Sequence, residues 1–235
     1  MAKGTKLNLY SIFACTATIL AASWVLAEVE NCEMDEIEDE ALRVEVAFAQ
    51  AGLIDNCLPV APEAILGVKF PTVQADLGNC LYPCSTILTP LLELEGDPET
   101  NLTVAIMDRD MPSAATPILS NYLMYLCLNV NGSSLSTFDS SLCVAPWINA
   151  NPTPGSGKHR IMAIAFPQSS FIDSSSLYPF SIDRYRFNMS ALIANYSLGA
   201  PVAGNFWRTS IPKDYGKYCG IETTECCAKT GNQYY

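Results

Sequence analysis

The chain has 235 residues, 49% of them hydrophobic, with 24 acidic against 13 basic side chains and a formal net charge of −11. That length suits one large domain with a sizeable core, while so acidic a chain is repelled by nucleic acid and by anionic lipid, which excludes both as electrostatic partners. Ten cysteines beside a single histidine point to disulfides rather than to a zinc site, and no metal or other cofactor is expected.

In chain order, Lys3 and Lys6 precede an apolar run over residues 7–26 that ends in Val25-Leu26-Ala27. This is the pattern of a secretory signal peptide cut before Glu28, leaving one domain over residues 28–235. Cleavage removes two lysines and no acid, so the net charge becomes −13. It also removes Cys15 and leaves nine cysteines, a framework of several disulfides with one odd thiol. Cys127, inside an apolar strand, is the candidate for a free buried thiol. Once the signal is gone, no stretch is long enough for stable membrane insertion. Export also makes the sequons at Asn101, Asn131, Asn188 and Asn195 candidates for glycan, Asn131 foremost because Asn131-Gly132 reads as an exposed turn.

Ile37, Ala41, Val44 and Phe48 lie at helical spacing, with acids in the first turns and Gly52 as a stop. Residues 66–70, 91–94 and 102–107 read as strands, the last two separated by a turn at residues 95–98. Residues 122–130 form the longest apolar run, predicted to be central and covered on both faces. A Ser- and Asn-rich loop follows over 131–150. Residues 152–166, P-T-P-G-S-G-K-H-R-I-M-A-I-A-F, read as a rigid loop feeding a buried strand, with the lone His159 at the junction. After a serine-rich connector at 169–178, a helix is expected over 183–196, with Phe187, Ala191 and Ala194 on one face and Gly199 as its stop. A short strand follows at 204–207. The polar tail, 212–235, carries Cys219, Cys226 and Cys227 and is expected to be held by disulfides.

Several motifs here resemble, in order, those of the phosphatidylethanolamine-binding protein family. They are Leu77-Gly78-Asn79, Asp108-Arg109-Asp110-Met111-Pro112-Ser113, Gly155-Ser156-Gly157-Lys158-His159-Arg160, and the run from Leu198 to Phe206 (L-G-A-P-V-A-G-N-F). The resemblance implies a mainly β fold with peripheral helices: a central, mostly antiparallel sheet plus a smaller one. It also implies a small pocket at the sheet edge with Asp108 and His159 at its base. Two departures stand out. Met124 occupies the place of the family's second pocket histidine, and Ile161 that of its tyrosine. A pocket walled by Tyr122, Met124, Pro152 and Ile161 then suits a small lipid-like or amphipathic ligand better than a bare phosphate.

Asp108 and Asp110 are expected to face opposite sides, one toward the pocket and one toward the scaffold, as are His159 and Arg160. Asp110 and Arg160 become a supporting ion pair, and Arg109 could return a positive charge to the rim. Enzyme motifs fail one by one. Gly155 to Lys158 lacks the glycine and the hydroxyl residue of a phosphate loop, and no serine stands in a nucleophile elbow. The expected function is a secreted, non-catalytic binding protein. The alternative is an extracellular protease inhibitor or protein-interaction glycoprotein with a degenerate pocket.

Overall fold

The computed structural model describes residues 37–55, 58–94, 100–137, 139–140, 143–173, 175 and 183–211. The signal segment, the turn at 95–98 and the tail from 212 lie outside the described residues. The chain runs through helix α1 (Glu40–Gln50), strands β1 (Ala64–Ile65), β2 (Gly67–Lys69), β3 (Leu91–Glu93), β4 (Asn101–Asp108), β5 (Tyr122–Asn131) and β6 (His159–Pro167), helix α2 (Met189–Tyr196) and strand β7 (Ala203–Thr209). The main sheet has the order β1-β7-β6-β4-β5 and is antiparallel except where β1 joins β7. A second, antiparallel sheet pairs β2 with β3. Mainly β, with two α-helices and two sheets among the described residues, this is the expected class.

The main sheet is buried on both faces, which is why β4 and β6 are apolar at almost every position rather than alternating. On one side Met107, Leu123, Met162, Ile164 and Phe206 pack with α1 and α2. Phe48 of α1 meets Phe206 edge to face at 5.2 Å. On the other side Val104, Ile106, Met124, Ile161 and Trp207 pack against the small sheet through Val68 and Leu92. Gly204 lets these layers close, since a Cβ there would lie 2.4 Å from Pro62.

Four expectations change. The 66–70 strand shortens to Gly67–Lys69 and joins the small sheet, while the residues before it, Ala64–Ile65, form a separate strand of the main sheet. β5 is at the edge of the five named strands and β6 is central. β5 is nevertheless as buried as a central strand, because residues 143–147 run alongside it through an Ala145–Leu126 bridge. That same segment brings Cys143 to Cys127, and the two form a disulfide, so Cys127 is not a free thiol. Finally, α2 begins at Met189 rather than at 183. Arg186 sits at φ +55°, which a helix cannot accommodate. Asn188 caps the first turn by accepting from the Ala191 N–H, and Ser197, not Gly199, takes the left-handed position that ends it. The buried face is Met189 and Leu192.

Among the described residues no helix is long and apolar enough to cross a membrane. Asn188 and Asn195 are exposed, while Asn101 and Asn131 are half-buried. The Asn131 side chain accepts from Ser133 of its own sequon.

Candidate functional site at the end of the main sheet

β4 ends at Asp108, whose register partners are Tyr122 on β5 and Ile161 on β6. His159 starts β6 two residues before Ile161 and so shares its face. The result is a carboxylate beside an imidazole: Asp108 Oδ2 lies 2.8 Å from His159 Nδ1. Both groups are buried, Asp108 at 3% exposure and His159 at 0%. The second ring nitrogen, Nε2, is 3.0 Å from the Ser156 hydroxyl. With a carboxylate on Nδ1, that nitrogen carries a proton, and in the neutral ring Nε2 accepts the Ser156 O–H. Ser156 is a site residue that motif reasoning passed over. Its signal was the tight Gly155-Ser156-Gly157 turn three residues before the histidine.

The turn is shaped for this. Gly155 and Gly157 sit at φ +81° and +97°, a region that glycine enters without strain. A Cβ at Gly157 would come within 3.0 Å of that of Ala114, and the Ala114 N–H donates to the Ser156 carbonyl at 3.0 Å. The acidic loop and the glycine loop are thereby docked on each other. Pro152 is buried at the root of the second loop.

Asp108 and Asp110 do part company, but strand alternation is not the reason, since residues two apart on a strand share a face. The strand stops at Asp108, whose Oδ1 accepts the N–H of Asp110 at 2.8 Å, an Asx turn that reverses the chain. Asp110 then faces Arg160. Its Oδ2 accepts from the Arg160 backbone N–H and Nε at 2.8 and 2.9 Å, and its Oδ1 from Nη2 at 2.7 Å. These hydrogen bonds raise the Arg160 pKa above its ordinary value. Arg160 Nη1 also donates to the Ala51 carbonyl at 2.7 Å, tying the end of α1 to the site loops. Arg109 does not reach the pocket rim. It is buried, ion-paired with Asp55, and its Nη1 approaches the Met162 sulfur.

Of the expected walls, Tyr122 is half-buried and its ring lies 5.1 Å from that of Tyr185. Burial raises its pKa, offset in part by the charge of Arg184. Met124 and Ile161 are enclosed, at 1% and 0% exposure, in the apolar layer with Trp207. Behind them stands Arg184, within the span expected to be helical. It is buried and donates to the carbonyls of Leu123, Met124 and Pro146 at 3.3, 2.9 and 2.8 Å. Desolvation lowers its pKa. A cleft of about 720 Å³ lies elsewhere, beside the small sheet, lined by Glu40, Lys69, Asp76, Glu93, Ser133 and Asn205 among others. None of the six expected ligand-binding residues faces it.

A two-sheet β fold with a carboxylate and an imidazole meeting at the strand ends defines a class of protein that comparison identifies. No family model matches the chain. It is 30% identical over 143 residues to Protein FLOWERING LOCUS T of Arabidopsis thaliana, a match covering 60% of this chain and 77% of that protein. It is 26% identical over 166 residues to the 26 kDa secreted antigen of Toxocara canis, covering 69% of this chain but 62% of the antigen's length. Among solved structures, the phosphatidylethanolamine-binding protein from Plasmodium vivax superposes with a TM-score of 0.57 at 18% identity, covering 70% of this chain and 96% of that one. A carboxypeptidase Y inhibitor, solved with its cognate proteinase, reaches 0.61 at 16% identity, covering 75% and 99%. The chain belongs to the phosphatidylethanolamine-binding protein family.

Proposed function

We propose that this protein is an exported, non-catalytic binding protein that takes a small amphipathic or headgroup-bearing ligand where Asp108, His159 and Ser156 meet. The supporting observation is the Asp108–His159–Ser156 hydrogen-bond chain, with Asp108 in register with Tyr122, whose ring lies against Tyr185. Aromatic surface next to a few convergent polar groups suits a ligand that is apolar at one end and polar at the other. Met124 and Ile161 leave phosphate with fewer donors, each charged hydrogen bond contributing roughly 1.5–3 kcal/mol. Titration calorimetry with phosphorylethanolamine tests this: the wild type binds weakly, and Met124→His binds about tenfold tighter or more. Equal, tight binding by both proteins would overturn this picture of the pocket. Native mass spectrometry of the purified protein separates this reading from inhibition of a proteinase, the role of the carboxypeptidase Y inhibitor that shares the fold. A co-purified small molecule supports ligand binding, and a bound proteinase supports the inhibitor.

A second reading has one observation in its favour. Ser156, His159 and Asp108 have the connectivity of a hydrolase triad, with contacts of 3.0 and 2.8 Å. Ser156, however, sits in a turn between glycines, not at a strand-to-helix elbow. The expected result with a fluorophosphonate probe is therefore no modification of Ser156. Stoichiometric labelling that disappears in Ser156→Ala would establish a nucleophile and replace the binding reading with a catalytic one.

A further inference from the structure

We propose that Trp207 and Thr209 of β7 complete the candidate site, donating hydrogen bonds from the indole N–H and the hydroxyl to the oxygen-bearing polar end of its ligand. This rests on the binding reading above and adds two contacts to it. Both residues are buried, Trp207 at 0% and Thr209 at 2% exposure. Yet among the described residues neither Trp207 Nε1 nor Thr209 Oγ1 has a hydrogen-bond partner. Buried polar groups are nearly always paired, because an unpaired one keeps the cost of leaving water and gains nothing in return. Two such groups at alternate positions of one strand call for one shared partner.

Sheet register says where that partner sits. Thr209 lies opposite His159 and Trp207 opposite Ile161, and Ile161 lies opposite Asp108. Residues abreast on neighbouring strands share a face, with Cβ atoms about 4.5–5.5 Å apart, and residues two apart on one strand share it too. The unpaired hydroxyl is therefore the cross-strand neighbour of the imidazole, and the indole stands in one row with Ile161 and the Asp108 carboxylate. Trp207 packs with Ile161 and Met124 in the same layer, its ring held against Phe70 at 5.7 Å. Met124 and Ile161 leave this layer short of polar groups, and the Trp207 N–H, opposite Ile161, returns a donor to it. An indole N–H only donates, and a hydroxyl donates as well as accepts. The ligand atoms they meet are acceptor oxygens, as on a phosphoryl or carboxyl head.

The test is nuclear magnetic resonance of the isotopically labelled full chain, titrated to saturation with phosphorylethanolamine and, separately, with hexanoate, so that weak binding is still read. Comparison with Trp207→Phe identifies the Trp207 indole resonance. The expected result with at least one probe is a downfield shift of that N–H, while the indole of Trp147, which donates to the Ile87 carbonyl at 3.1 Å, stays in place. Thr209→Val keeps the shape and removes the hydroxyl. It should bind the same probe about tenfold more weakly at an unchanged or higher urea midpoint, and Thr209→Ser should bind like the wild type. A Trp207 indole that does not move in a protein that binds, or wild-type affinity in Thr209→Val, overturns the proposal; if His159→Ala then abolishes the titration, the binding reading stands without it. A lower urea midpoint in Thr209→Val would mean that the hydroxyl serves the folded chain itself, and also overturns the proposal. No titration of the wild type by either probe removes the binding reading and the two added contacts together.

Discussion

Asp110→Ala should lower stability by about 2–3 kcal/mol while leaving the fold intact. Asp110 is 2% exposed and accepts three hydrogen bonds from Arg160. Removing it strands the Arg160 backbone N–H and most of the guanidinium. Breaking a buried pair from one side costs about 3–5 kcal/mol. Here the Arg160 side chain keeps 29% exposure, so water recovers part of the loss and the lower figure applies. In a domain of this size that corresponds to a melting point lower by about 5–10 °C. Urea unfolding should show a lower midpoint at unchanged slope. Asp110→Asn, which keeps one acceptor oxygen, should fall between. A wild-type midpoint for Asp110→Ala would mean that the pair does not hold α1 to the two loops. Because Arg160 Nη1 bonds the Ala51 carbonyl, the variant should also loosen the end of α1, seen as faster amide exchange around residues 51–53.

The second large effect is expected at the Cys127–Cys143 bond. Replacing both cysteines with serine should cost about 3 kcal/mol, the loss of loop-closure entropy for a separation of 16 residues. The bond secures the segment that covers β5. Beyond Cys143, Ala145 pairs with Leu126, and Trp147 packs on Phe70 at 5.9 Å and on Tyr125 at 6.3 Å. Trp147 Nε1–H also donates to the Ile87 carbonyl at 3.1 Å. Tryptophan emission should therefore shift to the red in the double variant before global unfolding. Denaturation curves that coincide for the wild type and the variant would remove the bond from the list of stabilising elements. Thermal melts of the wild type with and without reductant should separate further, since reduction reaches every bridge in the chain.

Local signals in the sequence carried most of the secondary structure and the polar pair at the site. Apolar runs bounded by turn residues marked β4, β5 and β6, because strands buried on both faces leave no polar positions. The histidine at the start of one run and the aspartate at the end of another were legible as strand-end groups for the same reason. Helix α1 was legible from its spacing, its acidic first turn and Gly52. Tertiary structure decided the rest. Whether β5 lay at the centre or the edge depended on residues 143–147, which carry no strand signal and gain their place only by packing. The same packing decided that Cys127 is bonded, since a disulfide needs its partner's Cα within a few ångströms, and a sequence does not hold that distance. Asp108 and Asp110 separate through a side-chain hydrogen bond that ends the strand, where alternation alone would have kept them on one face. The places of Arg109, Arg184 and Ser156 were not legible: the partners of the two arginines lie 54 and 38–61 residues away, and the Ser156–His159 contact depends on the glycine turn. The first two are drawn into the interior by a carboxylate and by carbonyls that only the folded chain brings to them.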